Sequence, residues 1–422
     1  MAVQCAAEAA DAIKVSSLKT RLALAAVTLV STTPVVADDD WSTDVSYLSY
    51  SESDGRVNVS KALWDITRAN DDNKTSVQLI FDTMSGASPT GAIKGAEGSV
   101  TTVTGASGGA GLEASGSNES TATVFSDTRV QIAAQQQWQL NRLHALDVGA
   151  VYSTEDDYES TGASIGLKRE SPNKNTSYTV AIARTFDSIR TSYDDSTPAP
   201  LTSTNSRRRF SVGQRSTTDL GLGVTQVLNR QTLAQFNVSF TQSNGYHTDP
   251  YKVISVADAN DRVLDNYSES RPDSRTRGSA YAKVIHQIDN TKHAIHLGYR
   301  LYRDDWGVRS NTVDAHYHFQ LNAKSYIEPH IRFYQQSAAD FYQHKLDVDS
   351  NSDVIIPQSG FASADYRLDR MNSVTLGAKY GIALSPAIKL RFRAAYLQQA
   401  FSTATFETNT AVIVQTSFSY TF

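Results

Sequence analysis

Val412-Ile413-Val414-Gln415-Thr416-Ser417-Phe418-Ser419-Tyr420-Thr421-Phe422 closes the sequence and alternates to its last position. Successive side chains of an extended strand point to opposite sides. Val412, Val414, Thr416, Phe418, Tyr420 and Phe422 therefore share one face, and Ile413, Gln415, Ser417, Ser419 and Thr421 share the other. The first face suits lipid, with aromatic rings near the headgroups, and the second suits a wet interior.

The same period-two pattern runs upstream. Leu390, Phe392, Ala394 and Tyr396 alternate with Lys389, Arg391 and Arg393. Val374, Leu376, Ala378 and Tyr380 alternate with Thr375, Gly377 and Lys379. Ile327, Ile331 and Phe333 alternate with Glu328, His330 and Arg332, and Val313, Ala315, Tyr317 and Phe319 with Asp314, His316 and His318. Leu297, Tyr299 and Leu301 flank His296 and Arg300, and further back Phe236, Val238 and Phe240 and then Val130, Ile132 and Trp138 repeat the pattern. Such a series reads as an all-β, transmembrane antiparallel barrel. Phe418, Tyr420 and Phe422 also resemble the terminal signal by which barrel-assembly machinery receives outer-membrane proteins.

Composition agrees. Of 422 residues, 40% are hydrophobic and 20% charged, and Tyr (20) outnumbers Phe (15). The mean hydropathy of −0.37 is polar, as expected where only alternate residues meet lipid. No apolar stretch of roughly 18 residues lies beyond the N-terminal region, which excludes membrane-spanning helices. Residues 1–37 read as an export signal: Lys14, Lys19 and Arg21 precede the apolar run Leu22 to Val30, and Pro34-Val35-Val36-Ala37 offers a small-residue cleavage site. Residues 38–422 then form a single barrel domain. The lone cysteine, Cys5, falls in the leader, which excludes disulfide and thiol chemistry in the mature chain.

About sixteen strands are expected, starting near residues 44, 56, 75, 126, 143, 157, 175, 217, 231, 275, 291, 308, 325, 370, 386 and 408. Fourteen or eighteen are the neighbouring counts, because the first two segments are the weakest. Barrels of this kind keep both termini periplasmic, with short inner turns and long outer loops. Sixteen strands place all four long connections, 86–125, 189–216, 244–274 and 339–369, outside. The turns Asn141-Arg142, Asn229-Arg230, Asp289-Asn290 and Ser385-Pro386 fall inside. The loop Ser85 to Ser120, rich in Gly, Ser, Thr and Ala, is expected to be flexible; its glycine cluster lacks the Lys-Ser/Thr of a phosphate-binding loop.

The expected lumen is charged. The turn at Asn322-Ala323-Lys324 sets a register with Asp314 near Arg332, His316 near His330, and His318 near Glu328, with His296 and Arg300 on the adjacent strand. Three roles fit these groups: a hydrogen-bonded lining, a metal site centred on His316 and His330, or a pH-sensitive gate. Lys379, Lys389, Arg391 and Arg393 make a basic stripe that either favours anions or is neutralised by an acidic loop carrying Asp340, Asp349, Asp353 and Asp365. No G-x-S-x-G nucleophile motif is present, so no enzyme is expected. Arg207-Arg208-Arg209 suits a headgroup contact, and no nucleic-acid partner is expected. No cofactor is expected beyond the metal ion considered above.

Strand-end motifs complete the reading. They are Asp82-Thr83-Met84-Ser85-Gly86-Ala87-Ser88-Pro89, Asp127-Thr128-Arg129, Gly223-Val224-Thr225-Gln226-Val227-Leu228 and Asp249-Pro250-Tyr251-Lys252. Glu269-Ser270-Arg271-Pro272-Asp273-Ser274-Arg275, Asp304-Asp305-Trp306-Gly307, Gln336-Ser337-Ala338-Ala339-Asp340-Phe341-Tyr342 and Ser363-Ala364-Asp365-Tyr366-Arg367 follow. Across nearly the whole mature chain these resemble a bacterial outer-membrane barrel family, domain of unknown function 3570. The resemblance implies an exported barrel of unsettled function, in the company of periplasmic flavin-transfer and thioredoxin-like proteins. By themselves the motifs suit Arg–carboxylate pairing over the mouth, among Arg271, Asp273, Arg275, Asp305, Asp340, Asp365 and Arg367. That network either locks the loops or binds a ligand. The expected function is a channel or transport-related barrel for a small polar or ionic solute. The alternative is a non-conducting scaffold or receptor-like barrel tied to an envelope redox or metal system. The expected partners are outer-membrane lipid, the barrel-assembly machinery and a periplasmic envelope protein.

Overall fold

The computed structural model describes residues 40–89, 122–191, 195–205, 211–288, 291–404 and 406–422. The expected export signal, most of the Gly/Ser-rich loop, Arg207-Arg208-Arg209 and the Asp289-Asn290 turn lie outside them. In chain order the strands are β1 (Asp40–Glu52), β2 (Asn58–Ala69), β3 (Asn73–Pro89), β4 (Ala122–Asn141), β5 (His144–Thr154), β6 (Tyr158–Glu170) and β7 (Thr176–Thr191). Next come β8 (Thr202–Ser203), β9 (Ser211–Val227), β10 (Thr232–Gly245), β11 (Val253–Ala257), β12 (Val263–Ser268), β13 (Ser274–Gln287) and β14 (Ala294–Asp304). The chain ends with β15 (Arg309–Gln320), β16 (Ser325–Gln336), β17 (Leu346–Asp347), β18 (Met371–Ala383), β19 (Ile388–Phe401) and β20 (Thr408–Thr421). All but β8, β11, β12 and β17 close into one antiparallel barrel of sixteen strands, each paired with its neighbour along the chain.

Alternation decides which face meets lipid. Phe236, Tyr299, Phe333, Leu376, Phe392, Tyr396 and Phe418 are exposed on the outer wall. The residues between them turn inward. The barrel closes where β20 runs antiparallel to β1, with Phe418 opposite Val45. At the periplasmic end the Phe422 N–H donates to the Trp41 carbonyl (2.8 Å), and the two rings stack at 6.4 Å. At the outer end Arg56 donates to the Thr408 carbonyl (3.1 Å) and lies over the Phe406 ring.

Most of the periplasmic turns among the described residues share one device. In Asn70, Asn141, Asn229 and Asn322 the side-chain oxygen accepts a backbone N–H two residues on, at 2.9–3.2 Å. This mimics a backbone turn and reverses the chain within a few residues.

Two features depart from a simple wet-lumen barrel. Ile413, which alternation assigns to the wet face, is 1% exposed. It packs with Leu48, Tyr50, Val59, Leu63, Ile80 and Leu397 on the outer half of the inner wall. Inward residues of β19, β20, β1, β2 and β3 lie at one level there, so they form a small apolar core beside the seam. The second departure is the four-stranded sheet β17-β11-β12-β8, built from three of the long outer loops. Its β11 residues are all buried, and Ile254, Val256, Leu346 and Ala362 form its core.

Candidate functional site

The lumen wall follows from strand register. β15 and β16 set Asp314 opposite Arg332 and His316 opposite His330; β14 sets His296 opposite His316. Gly298 makes room for Asp314: a Cβ there would lie 2.6 Å from its Oδ1. Glu328 is the hub of the group. Lys379 Nζ donates to its Oε1 at 2.7 Å, His316 Nδ1 lies 3.3 Å from the same oxygen, and His318 Nδ1 lies 3.5 Å from Oε2. One carboxylate thus holds three donors from two strands, β15 and β18.

His316 and His330 stack face to face, with ring centroids 4.1 Å apart. That arrangement turns ring faces toward each other instead of nitrogen lone pairs. Among the described residues, the donor atoms grouped closely enough to share one ion belong to Asp127, Glu155 and Asp157 at the outer rim, within 4.8 Å of one another. The motif Asp127-Thr128-Arg129 pointed there only in part, because Glu155 and Asp157 arrive from the β5–β6 turn.

The basic stripe lines the same wall. Lys379 stands opposite Arg393, Ile382 opposite Leu390, and Ala383 opposite Lys389. Arg391 reaches Asp44 across the seam at 3.8 Å. Arg393 Nη1 is buried with no hydrogen-bond partner among the described residues. Arg300 lies over the Tyr281 ring at 5.2 Å. Sequence reasoning missed Arg277 and Lys283, which alternation turns inward on β13. The acidic loop residues serve elsewhere: Asp349 Oδ1 accepts the Asn351 and Asp353 N–H groups, and Asp365 joins the mouth.

The charge is segregated around the lumen. From β13 to β19 the inward Lys and Arg residues, Arg275 through Arg393, face only Asp304, Asp314 and Glu328 among the inward acids of those strands. From β1 to β9 the inward residues include Asp44, Asp65, Asp82, Asp127, Asp147, Asp187 and Asp219. Bases are mixed among them: Arg129 donates to Asp82 (3.0 Å) and Arg215 to Asp187 (3.0 Å).

The mouth is held by a second network. Arg271 bonds Glu269 (2.6 Å) and Asp365 (2.9 Å); Arg367 bonds Asp365 (2.8 Å) and Asp249 (2.8 Å). Lys252 lies 5.5 Å over the Tyr366 ring. Three buried carboxylates therefore meet three cations. Burial raises Glu269, with Arg271 opposing. Against its own burial, Asp365 is held far below the carboxylate range by Arg367, Lys252 and Arg271. Arg275 pairs with Asp304 (2.9 Å) and stacks on Trp306 at 4.2 Å.

Of the mouth residues expected from sequence, Arg271, Asp365 and Arg367 come together. Arg275 sits in the separate Asp304 cluster. Asp305 accepts the Thr276 N–H (2.9 Å), Asp340 packs over Gly307, and Asp273 offers its carbonyl to the Gly245 N–H (2.7 Å). Asp249, Lys252, Glu269 and Asp304 were not singled out individually, although each lies inside a quoted motif. Asp369 was missed: it accepts N–H groups of Ser402 (3.1 Å), Thr403 (2.7 Å) and Ala404 (3.0 Å), tying the β19–β20 loop to the cap.

Sixteen closed strands, an apolar outer wall and a polar, charged lumen make this an integral β-barrel of the bacterial outer membrane. Residues 19–418 match the family described as protein of unknown function DUF3570, and the chain belongs to it. No curated protein matches the chain. Among solved structures it is similar to a ferric enterobactin receptor mutant of Pseudomonas aeruginosa, at 10% identity and a TM-score of 0.43, covering 86% of this chain and 54% of that one. The siderophore receptor PirA of Acinetobacter baumannii gives 8%, 0.42, 87% and 54%. A bacterial polysaccharide outer-membrane secretin gives 6%, 0.46, 90% and 98%. The chain spans about half the length of the siderophore receptors it matches.

Proposed function

We propose that the protein is a transport-type barrel that admits small anionic solutes through a mouth narrowed by a rigid loop sheet. The observation that carries this is the segregation of lumen charge, with the basic residues of β13–β19 facing the more acidic wall of β1–β9. Rings or walls of fixed charge select ions by sign. Sixteen-stranded barrels leave an aqueous interior. Export through an N-terminal signal and placement by the barrel-assembly machinery belong to the same reading.

The test is planar-bilayer conductance of purified protein in a salt gradient. The reversal potential should show anion preference. Absence of current at every potential would overturn this reading. It would favour the second one, a non-conducting receptor-like barrel, which the buried ion network under the loop sheet supports.

A further inference from the structure

Three arginines line one cleft on the outer surface, directly above the lipid-facing belt. Arg303 ends the outward row of β14 that carries Leu297, Tyr299 and Leu301. Arg309 opens the outward row of β15, and the register sets it directly opposite Arg303. On the next strand end the Ser337 N–H donates to the Arg309 carbonyl (2.9 Å). Arg370 follows, immediately before β18, whose outward face carries Leu376. All three arginines are exposed and border a cleft of about 560 Å³.

Like charges directly opposite one another on a sheet are destabilising. No hydrogen bond or ion pair engages the three guanidinium groups among the described residues. Three carboxylates also border the cleft: Asp304 is bonded to Arg275 (2.9 Å), Asp305 accepts the Thr276 N–H (2.9 Å), and Asp340 lies against Gly307. The arrangement is therefore complementary to an anion supplied from outside the chain. Arginine matches phosphate oxygens with a planar, two-pronged donor. The row also continues downward into apolar residues, so a ligand with a phosphorylated head above acyl chains can use both surfaces. The outer leaflet of this membrane presents such a molecule.

We propose that Arg303, Arg309 and Arg370 form a binding site for the phosphate of an outer-leaflet glycolipid. The test is native mass spectrometry of the folded full-length protein in detergent. It is titrated with lipid A carrying its phosphates, with the same lipid after phosphatase treatment, and with inorganic phosphate. The phosphorylated lipid should bind about tenfold more tightly than the dephosphorylated one. R303Q/R309Q/R370Q should abolish that difference, and R303K/R309K/R370K should retain part of it. If the triple glutamine variant does not fold, R309Q alone carries the test, with a loss of about threefold expected. Equal binding of both lipids, or a preference unchanged in the glutamine variants, would overturn the proposal. So would displacement of the lipid by millimolar inorganic phosphate, which would make this a site for free oxyanions.

Discussion

At the residue scale, Asp365 is the side chain on which the cap depends most. It accepts from Arg271 and Arg367, both of which lie in buried surroundings. Asp365→Ala leaves two cations short of a counter-charge, and breaking a buried pair in this way costs about 3–5 kcal/mol. The expected outcome is selective loosening of the cap. In limited proteolysis, cleavage should appear within 246–273 and 339–370 while the heat-resistant barrel persists; a wild-type digestion pattern would contradict it. The rim carboxylates make a second residue-scale case. Burial first, with Asp127 adding to it, pushes Glu155 up to about 7 and Asp157 up to about 6. Folded-state values above the ordinary carboxylate range mean that the folded rim holds protons an unfolded turn has released. The stability of this turn is therefore greatest below about pH 4 and falls as pH rises through 7. Hydrogen exchange of residues 154–158, corrected for intrinsic rates, should show weaker protection at high pH than at low pH. Asp157→Asn should reduce the difference.

At the scale of elements, the seam between β20 and β1 is pinned at both ends. The Phe422 ring stacks on Trp41 and, at 5.3 Å, on Tyr420. Aromatic pairs of this kind add about 0.5–1.5 kcal/mol beyond area burial. Phe422→Ala should therefore lower folded stability in detergent by about that amount. An assembly-signal role predicts more: a severalfold drop in the heat-modifiable form recovered from cells. A cellular loss no larger than the in vitro effect would confine Phe422 to packing. The sixteen expected strand starts lie within a few residues of those observed, because each segment carries its own alternation and most of the described inner turns carry an Asn, as at Asn141 and Asn322. The sheet of β8, β11, β12 and β17 was not foreseen. The run Val253-Ile254-Ser255-Val256-Ala257 is its one local trace; it pairs with β12 in the same loop, and the two-residue strands β17 and β8 join from distant loops.

On the scale of the whole molecule, the transverse separation of charge is the property most open to test. Arg391→Gln with Arg393→Gln removes two cations from the β19 wall while leaving Glu328, Lys379 and the histidines in place. The anion-to-cation permeability ratio should fall by about two- to fivefold, with single-channel conductance changed less. A ratio unchanged by the double substitution would place selectivity elsewhere, at the capped mouth. The lumen was readable to the extent that register was. One turn at Asn322 was enough to bring Asp314 to Arg332 and His316 to His330. It was not enough to reveal Glu328 as the hub, because Lys379 arrives from a third strand.

The sequence by itself determined the barrel: strand number, the face given to lipid, the side on which the long loops emerge, and the inward placement of the charged residues. These are set by period-two alternation and turn chemistry, which act over a few residues and leave a mark in every segment. Only the tertiary structure decided how the long loops pair into a sheet, which carboxylate answers which arginine beneath it, why Ile413 is packed instead of wetted, and how Arg303, Arg309 and Arg370 come to share one cleft. Those outcomes depend on where strand ends distant in sequence meet around a closed cylinder, and no local pattern encodes that meeting.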